Sequence, residues 1–279
     1  MGNGRLAWLR LAAGLMLMVT LVGLAAGCRR GPATGASITL AGSTSVQPFA
    51  ELLAEEYMAK GKPSINVQGG GSSAGIQAAE TGAAQIGMSS RELKPDEKAA
   101  LREFPIAHDA IAIIVNPSNH LDGLTSAQVR GVFSGVIRNW KDLGGPDKAI
   151  TVISREEGSG TRGSFDEMIM KNAEVTPAAL VQDSNGSVRE TVAGDPFAIG
   201  YLSLGLVDQR VRAVKLDGVA ATLATARSNQ YPVVRPFLFL TQGEPSGTVK
   251  DFIDYVLGVE GQKVLYREGL VPVNPNVGQ

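Results

Sequence analysis

Between Arg155 and Phe165 the chain reads REEGSGTRGSF, and the residue types there are those that could seat an anion. Arg155 carries a planar fork of donors able to hold two oxygens of one oxyanion at once. Ser159, Gly160 and Thr161 follow it. Glycine lets backbone N–H groups approach a ligand closely, and the hydroxyls add further donors. Glu157, two residues beyond Arg155, is placed to pair with the guanidinium and fix its direction. The same stretch satisfies a rival pattern, because Gly158, Gly160 and Gly163 spell G-x-G-x-x-G, the turn that cradles a dinucleotide pyrophosphate. That turn calls for an acid about twenty residues on, and Asp183 meets the count. It also calls for a strand ending at the acid, and LVQDSNGSV is a poor strand. A pyrophosphate turn relies on backbone donors, with no arginine set before its glycines. A P-loop is excluded because no G-K-[ST] occurs. A small free oxyanion fits the stretch better than a dinucleotide.

Two more turns repeat this chemistry. AGSTSVQP follows the apolar run SITLAG and offers Thr44 and Ser45; GGGSSAG follows SINVQ and offers Ser72. In each, a strand gives way to a helix, where unpaired N–H groups and the positive end of the helix dipole favour negative charge. One such turn is ordinary helix capping, whereas several in one chain point to a shared ligand.

The elements that must position these turns alternate. Strand-like SITLAG, SINVQGGG and AQIGMSS are separated by helix-like STSVQPFAELLAEEYMAK and GSSAGIQAAETG. KPDEKAALREF reads as a polar helix, and FPIAHDAIAIIVNP as a long, almost unbroken apolar strand of the kind usually buried and parallel. A second set follows: LTSAQVRGVFSG (helix), AITVISR (strand), GTRGSFDEMIMKN and GSVRETVAGD (helices), FAIGYLSLG (strand). YPVVRPFLFLT is a second long apolar strand, and GTVKDFIDYVLG a closing helix. Two long strands bracketing the middle of the chain predict two α/β lobes with crossovers at those strands, a cleft between the lobes and a hinge at the crossings. The expected partition is lobe 1 over 37–113 plus 236–279 and lobe 2 over 114–235.

Composition bounds the function. The chain has 279 residues, a formal charge of −1, 5 % aromatics and 34 glycines, which describes a turn-rich α/β protein and not a nucleic-acid binder. His108 and His120 are too few and too isolated for a metal site. No nucleophile stands beside a base, so neither catalysis nor a cofactor is expected. Trp140, in IRNWKDL, reads as local packing, since a small hydrated anion offers an indole little to stack on.

The first 28 residues are of another kind. Arg5 and Arg10 precede the apolar run LAAGLMLMVTLVGLAAG, which ends at Cys28, the only cysteine. This is a signal peptide pattern, too short for a full membrane span. LAAGC resembles a lipobox, whose cysteine is acylated and becomes the new N-terminus, although leucine stands at 24 and alanine at 25, where leucine is usual. Residues 29–36 read as a short tether. Loss of the leader removes two positive charges, so any anion must be held by local donors and not by a positive overall field.

Taken together, GSTS, GGGSSAG, SSREL, HDAIAIIVN and EEGSGTRGSF resemble the periplasmic phosphate-binding proteins of ABC importers, in the same order, from Ile38 to about Thr241. The resemblance implies a two-lobed type II periplasmic binding fold, no enzymatic activity, and capture of inorganic phosphate for membrane permease subunits by a lipid-anchored, extracytoplasmic monomer. It implies ligand contacts at Thr44, Ser45, Ser72, Arg155, Ser159, Gly160 and Thr161. Some members carry aspartate where this chain has Ser90; that carboxylate accepts from a protonated phosphate oxygen and repels sulfate. Asp109 is the expected substitute, with Arg91 as a neighbouring donor or as its partner. The alternatives are a receptor for sulfate, molybdate or tungstate, a dinucleotide-dependent enzyme or secreted phosphatase, and a sensor or adhesin of the same fold.

Overall fold

The structure, a computed structural model, describes residues 37–278; the leader, Cys28 and the tether lie outside the described residues. The first strand, β1 (Ile38–Gly42), is followed by α1 (Gln47–Met58), β2 (Ile65–Gly69), α2 (Ser72–Glu80), β3 (Ile86–Ser89) and α3 (Pro95–Ala100). β1 pairs in parallel with β2 on one side and β3 on the other. α1 buries Phe49, Ala50, Leu53, Ala54 and Tyr57, a stripe at helical spacing that turns one face to the sheet. Its first turn has no side-chain cap. Ser43 Oγ accepts instead from the N–H groups of Ser45 and Val46, so the serine of the GSTS turn shapes the loop ahead of the helix. Gly75 lets α2 lie against β1 and β3, since a Cβ there would come within 2.6 Å of the Ala41 and Met88 carbonyl oxygens.

β4 (Arg102–Val115) is the first crossover. The second half of the described chain comprises β5 (Gly123–Leu124), α4 (Ser126–Phe133), β6 (Thr151–Arg155), α5 (Gly160–Phe165), β7 (Leu180–Gln182), α6 (Asn185–Gly194), β8 (Ala198–Ser203), β9 (Arg212–Ala213), β10 (Lys215–Leu216) and α7 (Leu223–Arg227). The second crossover, β11 (Val234–Thr241), leads into α8 (Gly247–Leu257), α9 (Val259–Arg267) and β12 (Val271–Pro272). The main sheet runs β2-β1-β3-β11-β4-β8-β6-β7.

β4 changes neighbours along its length. Residues Arg102–Ala110 lie beside β11 and Ile111–Val115 beside β8, both antiparallel. The expectation of a parallel strand is therefore corrected: the unbroken apolar run reflects cover on both faces, which an antiparallel crossover also requires. One core gathers Leu40, Phe49, Leu53, Met88, Phe237 and Phe239. Phe252, Val256, Val264 and Leu265 from α8 and α9 complete it, so the chain's last helices pack with its first. A second core holds Ile113, Val129, Phe133, Phe165 and Tyr201. Trp140 belongs to it: the ring is buried, and Nε1 donates to the Phe197 carbonyl at 2.9 Å. Each buried Phe or Leu contributes about 1.5–3 kcal/mol of burial to these cores.

Candidate functional site

β6 delivers Arg155 to the cleft at its last position. The chain then turns through a Ser159 N–H to Glu156 carbonyl bond of 3.1 Å, and α5 begins with Ser159 as its N-cap, the hydroxyl accepting from Arg162 N–H at 3.2 Å. The Arg155 side chain is 1 % exposed, and its fork is held almost completely. Nε donates to Glu156 Oε2 at 2.9 Å and the Gln182 carbonyl at 3.1 Å. Nη2 donates to Glu156 Oε1 at 2.9 Å, the Asp183 carbonyl at 3.1 Å and Thr44 Oγ1 at 3.2 Å. Nη1 alone is buried with no hydrogen-bond partner in the protein. The expected orienting partner, Glu157, is thus replaced by Glu156, because the strand ends at Arg155 and the turn folds the adjacent carboxylate back onto the guanidinium. Behind it, Tyr201 Oη lies 3.0 Å from Ser154 Oγ and accepts from Arg155 N–H at 3.3 Å. Its ring stacks on Phe165 at 4.0 Å, and burial pushes its hydroxyl up to about 12, so it stays protonated.

The other turns meet this one from across the cleft. Ser45 Oγ lies 2.7 Å from Thr161 Oγ1 and accepts from Asn185 Nδ2 at 2.8 Å. Ser72 Oγ accepts from Ser90 N–H at 3.0 Å, and Ser43 Oγ donates to Ser90 Oγ at 2.8 Å. Ser73 N–H donates to the Gly158 carbonyl at 3.1 Å. Gly160 is pressed against the same serines, for a Cβ there would stand 2.1 Å from Ser72 Oγ and 2.7 Å from Ser90 Oγ. Ser45, Ser72, Ser90, Ser159 and Thr161 are all buried. The structure brings Thr44, Ser45, Ser72, Ser90, Arg155, Ser159, Gly160 and Thr161 together around one small, donor-rich point. Such a point favours a compact anion: hydroxyls, helix N-termini and one open guanidinium N–H can replace a water shell.

The dinucleotide pattern is better formed than its sequence promised. β7 does run parallel to β6, so β6, α5 and β7 form a βαβ unit with Asp183 directly after it. The acid is engaged elsewhere, however: Asp183 Oδ1 accepts from Ser187 Oγ at 2.9 Å inside the α6 turn. Among the described residues no cluster of His, Cys, Asp and Glu is arranged to hold a metal.

Comparison with known proteins gives the family. Residues 29–260 match the PBP superfamily domain. The phosphate-binding protein PstS of Bacillus subtilis (strain 168) is 34 % identical over 244 residues, covering 85 % of this chain and 81 % of the relative. A Clostridium perfringens protein assigned to phosphate ABC transporter substrate binding, crystallised with phosphate, superposes with a TM-score of 0.83 at 43 % identity, over 86 % of this chain and all of its own. An ABC-type phosphate transport receptor from Vibrio cholerae gives 0.71 at 36 % identity, over 84 % and 99 % of the two chains. The chain belongs to the PstS phosphate-binding proteins of the PBP superfamily. Its architecture is the two-lobed type II fold of periplasmic binding proteins, with β4 and β11 as the crossover strands.

In this PstS chain two expected residues sit differently. Asp109 is buried beside the seat, but both its oxygens are taken: Oδ1 accepts from Ser203 Oγ at 2.8 Å, and Oδ2 from Arg235 Nη2 at 3.0 Å and Nε at 3.2 Å. Burial pushes the Asp109 carboxyl up, against the pull of Arg235, and draws the Arg235 guanidinium down. Arg91 is not its partner. It pairs with Glu97 of α3 through both Nη atoms at 2.8 Å, its stem packed beside Gly163 of α5. Asp109 meets Arg235 because the two are direct partners in the β4–β11 ladder.

Arg235 is the residue that reading the turns overlooks; Asn185 stands with Ser184 and Ser187 in a polar run that offers further donors from the second lobe. A signal for Arg235 was present. YPVVRPFLFLT and FPIAHDAIAIIVNP are both apolar strands, yet one carries an arginine and the other an aspartate, and buried charges of opposite sign must find each other. Asn185 gave the weaker signal of a polar residue opening a helix.

Proposed function

We propose that the chain captures inorganic phosphate between its lobes outside the cytoplasm and delivers it to the permease subunits of an ABC importer. The observation that carries this reading is Arg155: a buried guanidinium immobilised by Glu156 and two carbonyls, reaching Thr44 Oγ1 across the cleft through Nη2 and with Nη1 left without a hydrogen-bond partner. The anion would bind with Arg155, Ser159, Gly160 and Thr161 from one lobe and Thr44, Ser45, Ser72 and Ser90 from the other, so that closure of the lobes completes its shell. In this reading the lobes comprise 37–113 plus 236–279 and 114–235. The protein acts as a monomer and performs no catalysis. It is tethered by an acylated Cys28, whose two or three acyl chains, at about 0.8 kcal/mol per buried methylene, would hold it to a membrane.

A second reading, a receptor for sulfate or another fully ionised tetrahedral oxyanion, draws on one observation: both oxygens of Asp109 are engaged, so it offers the anion no free acceptor. Calorimetric titration of the leader-free chain with phosphate and then sulfate separates the two. Tight phosphate binding that Arg155→Ala abolishes, with sulfate far weaker, is the expected result. Equal or tighter sulfate binding favours the second reading, and no binding of either anion removes both.

A further inference from the structure

Arg235 stands where the two crossover strands lie side by side, and its guanidinium is fixed from several directions. Nε and Nη2 hold Asp109 on β4, Nη1 donates to the Ser90 carbonyl after β3 at 3.0 Å, and Nη2 also reaches Ser45 Oγ at 3.3 Å. It is 2 % exposed. The consequence lies in the proton of Ser45. A hydroxyl has one proton and two lone pairs. Asn185 donates to Ser45 Oγ through Nδ2, an orientation fixed because Asn185 Oδ1 accepts from Ser203 N–H at 3.2 Å. Arg235 is the second donor to the same oxygen. With both lone pairs filled, Ser45 must donate, and its partner at 2.7 Å is Thr161 Oγ1. Thr161, having accepted, turns its own proton outward. The order of donors therefore runs from Arg235 through Ser45 to Thr161, and each link polarises the next.

Resting on the phosphate-binding reading above, we propose that Arg235 is a second positioning cation of the seat: by fixing Ser45 as the donor to Thr161 it leaves the Thr161 proton for the bound anion, and it biases the seat to the phosphate dianion. The Asp109–Arg235 pair is neutral overall but directed, with the guanidinium toward Ser45 and the carboxylate toward Ser203. Its positive end therefore faces the seat, beside Arg155. The charged and titratable groups acting on Arg235 are Asp109 from β4, Arg155 from β6 and Tyr201 from β8. Tyr201, pushed up to about 12, stays neutral between pH 6 and 8. Inorganic phosphate itself passes from monoanion to dianion in that interval, so the pH profile of affinity reads the preference directly.

The test is calorimetric titration of the full-length chain in detergent with inorganic phosphate at pH 6 and pH 8. Its variants are Arg235→Gln/Asp109→Asn, which removes both buried charges together, and Arg235→Lys, which keeps the charge and loses the fork. Wild type is expected to bind more tightly at pH 8. The double variant should bind at least tenfold more weakly at pH 8, equal to about 1.4 kcal/mol, and lose less at pH 6. Arg235→Lys should lose affinity while keeping the rise with pH. The proposal is overturned if the double variant binds like wild type at pH 8, or loses the same factor at both pH values, as a purely structural role would. If the double variant fails to melt cooperatively, the lysine variant decides: loss of its pH rise overturns the proposal. Absence of phosphate binding by wild type would overturn the functional reading itself.

Discussion

Gly160 separates helix formation from cleft closure. It is the first residue of α5, it is not among the residues of positive φ, and alanine is a better helix former than glycine by about 0.8–1 kcal/mol. If α5 alone mattered, Gly160→Ala would leave the protein as stable as before or slightly more so. Across the cleft the methyl group would meet Ser72 Oγ at 2.1 Å, Ser90 Oγ at 2.7 Å and Ser72 Cβ at 2.9 Å. Apolar contacts settle near 3.5–4.0 Å, so the facing serines must retreat by more than an ångström. Rotating Ser72 Oγ away relieves the shortest contact but gives up its bond from Ser90 N–H at 3.0 Å and leaves Cβ in place. The lobes must therefore part. Overpacking of this kind costs about 1–3 kcal/mol, which corresponds to about 5- to 150-fold in Kd. Phosphate titration measures that factor, and thermal melting without phosphate reports on the fold. The expected pattern is an unchanged or raised Tm with weakened binding and a smaller Tm gain from phosphate. Binding within threefold of wild type, or weakening that merely tracks a fall in Tm, would refute the reasoning.

Two further outcomes follow from the same geometry. Arg155→Lys keeps the charge but has no fork to hold Glu156 and the Gln182 and Asp183 carbonyls while leaving a donor free; phosphate affinity should fall about 10- to 100-fold with a cooperative melt retained. Glu97 is held below the usual carboxylate range, first by its hydrogen bonds from Arg91. Its folded value is depressed, so its contribution to stability is fully present above about 4.5, the ordinary value, and is lost as pH falls through the folded value. Glu97→Gln should therefore flatten the acid limb of stability below about pH 4.5 and leave phosphate affinity at pH 8 unchanged, as read by denaturant melts and titration.

The turns were legible because their signals are local: a strand that ends, a small residue, a hydroxyl and a helix that begins occur within eight residues or so of one another. What depended on register was not legible. Asp109 and Arg235 lie 126 residues apart, and nothing in either segment states which rung of the ladder joins them. Arg91 looked the nearer partner because it is close in sequence to Ser90, yet both its Nη atoms are taken by Glu97. The choice of Glu157 over Glu156 assumed extended backbone, in which alternate residues share a face. The strand stops at Arg155, and the alternation stops with it. α9 was missed for another reason: VEGQKVLYR has too few apolar residues to show a period, although Val264 and Leu265 reach the core once α8 has set its direction. β7 was underrated because Leu180 and Val181 lie exposed at the end of the sheet, where pairing with β6 alone makes the strand.

Both guanidinium groups near the seat are matched by carboxylates, Arg155 by Glu156 and Arg235 by Asp109. In a chain of formal charge −1, a seat that binds phosphate as proposed would do so without a strong positive field to draw the anion in from a distance. The attraction is short-ranged, made of N–H and O–H groups that act only at contact. It is also divided. Ser45, Ser72 and Ser90 approach from one side of the crossing strands, and Arg155, Gly160 and Thr161 from the other, so separating the lobes removes a large share of the donors in one movement. A seat built around a strong net charge would hold its ligand in the open state as well. With each cation already paired, opening alone would lower the affinity steeply, as the proposed delivery of phosphate to a membrane permease requires.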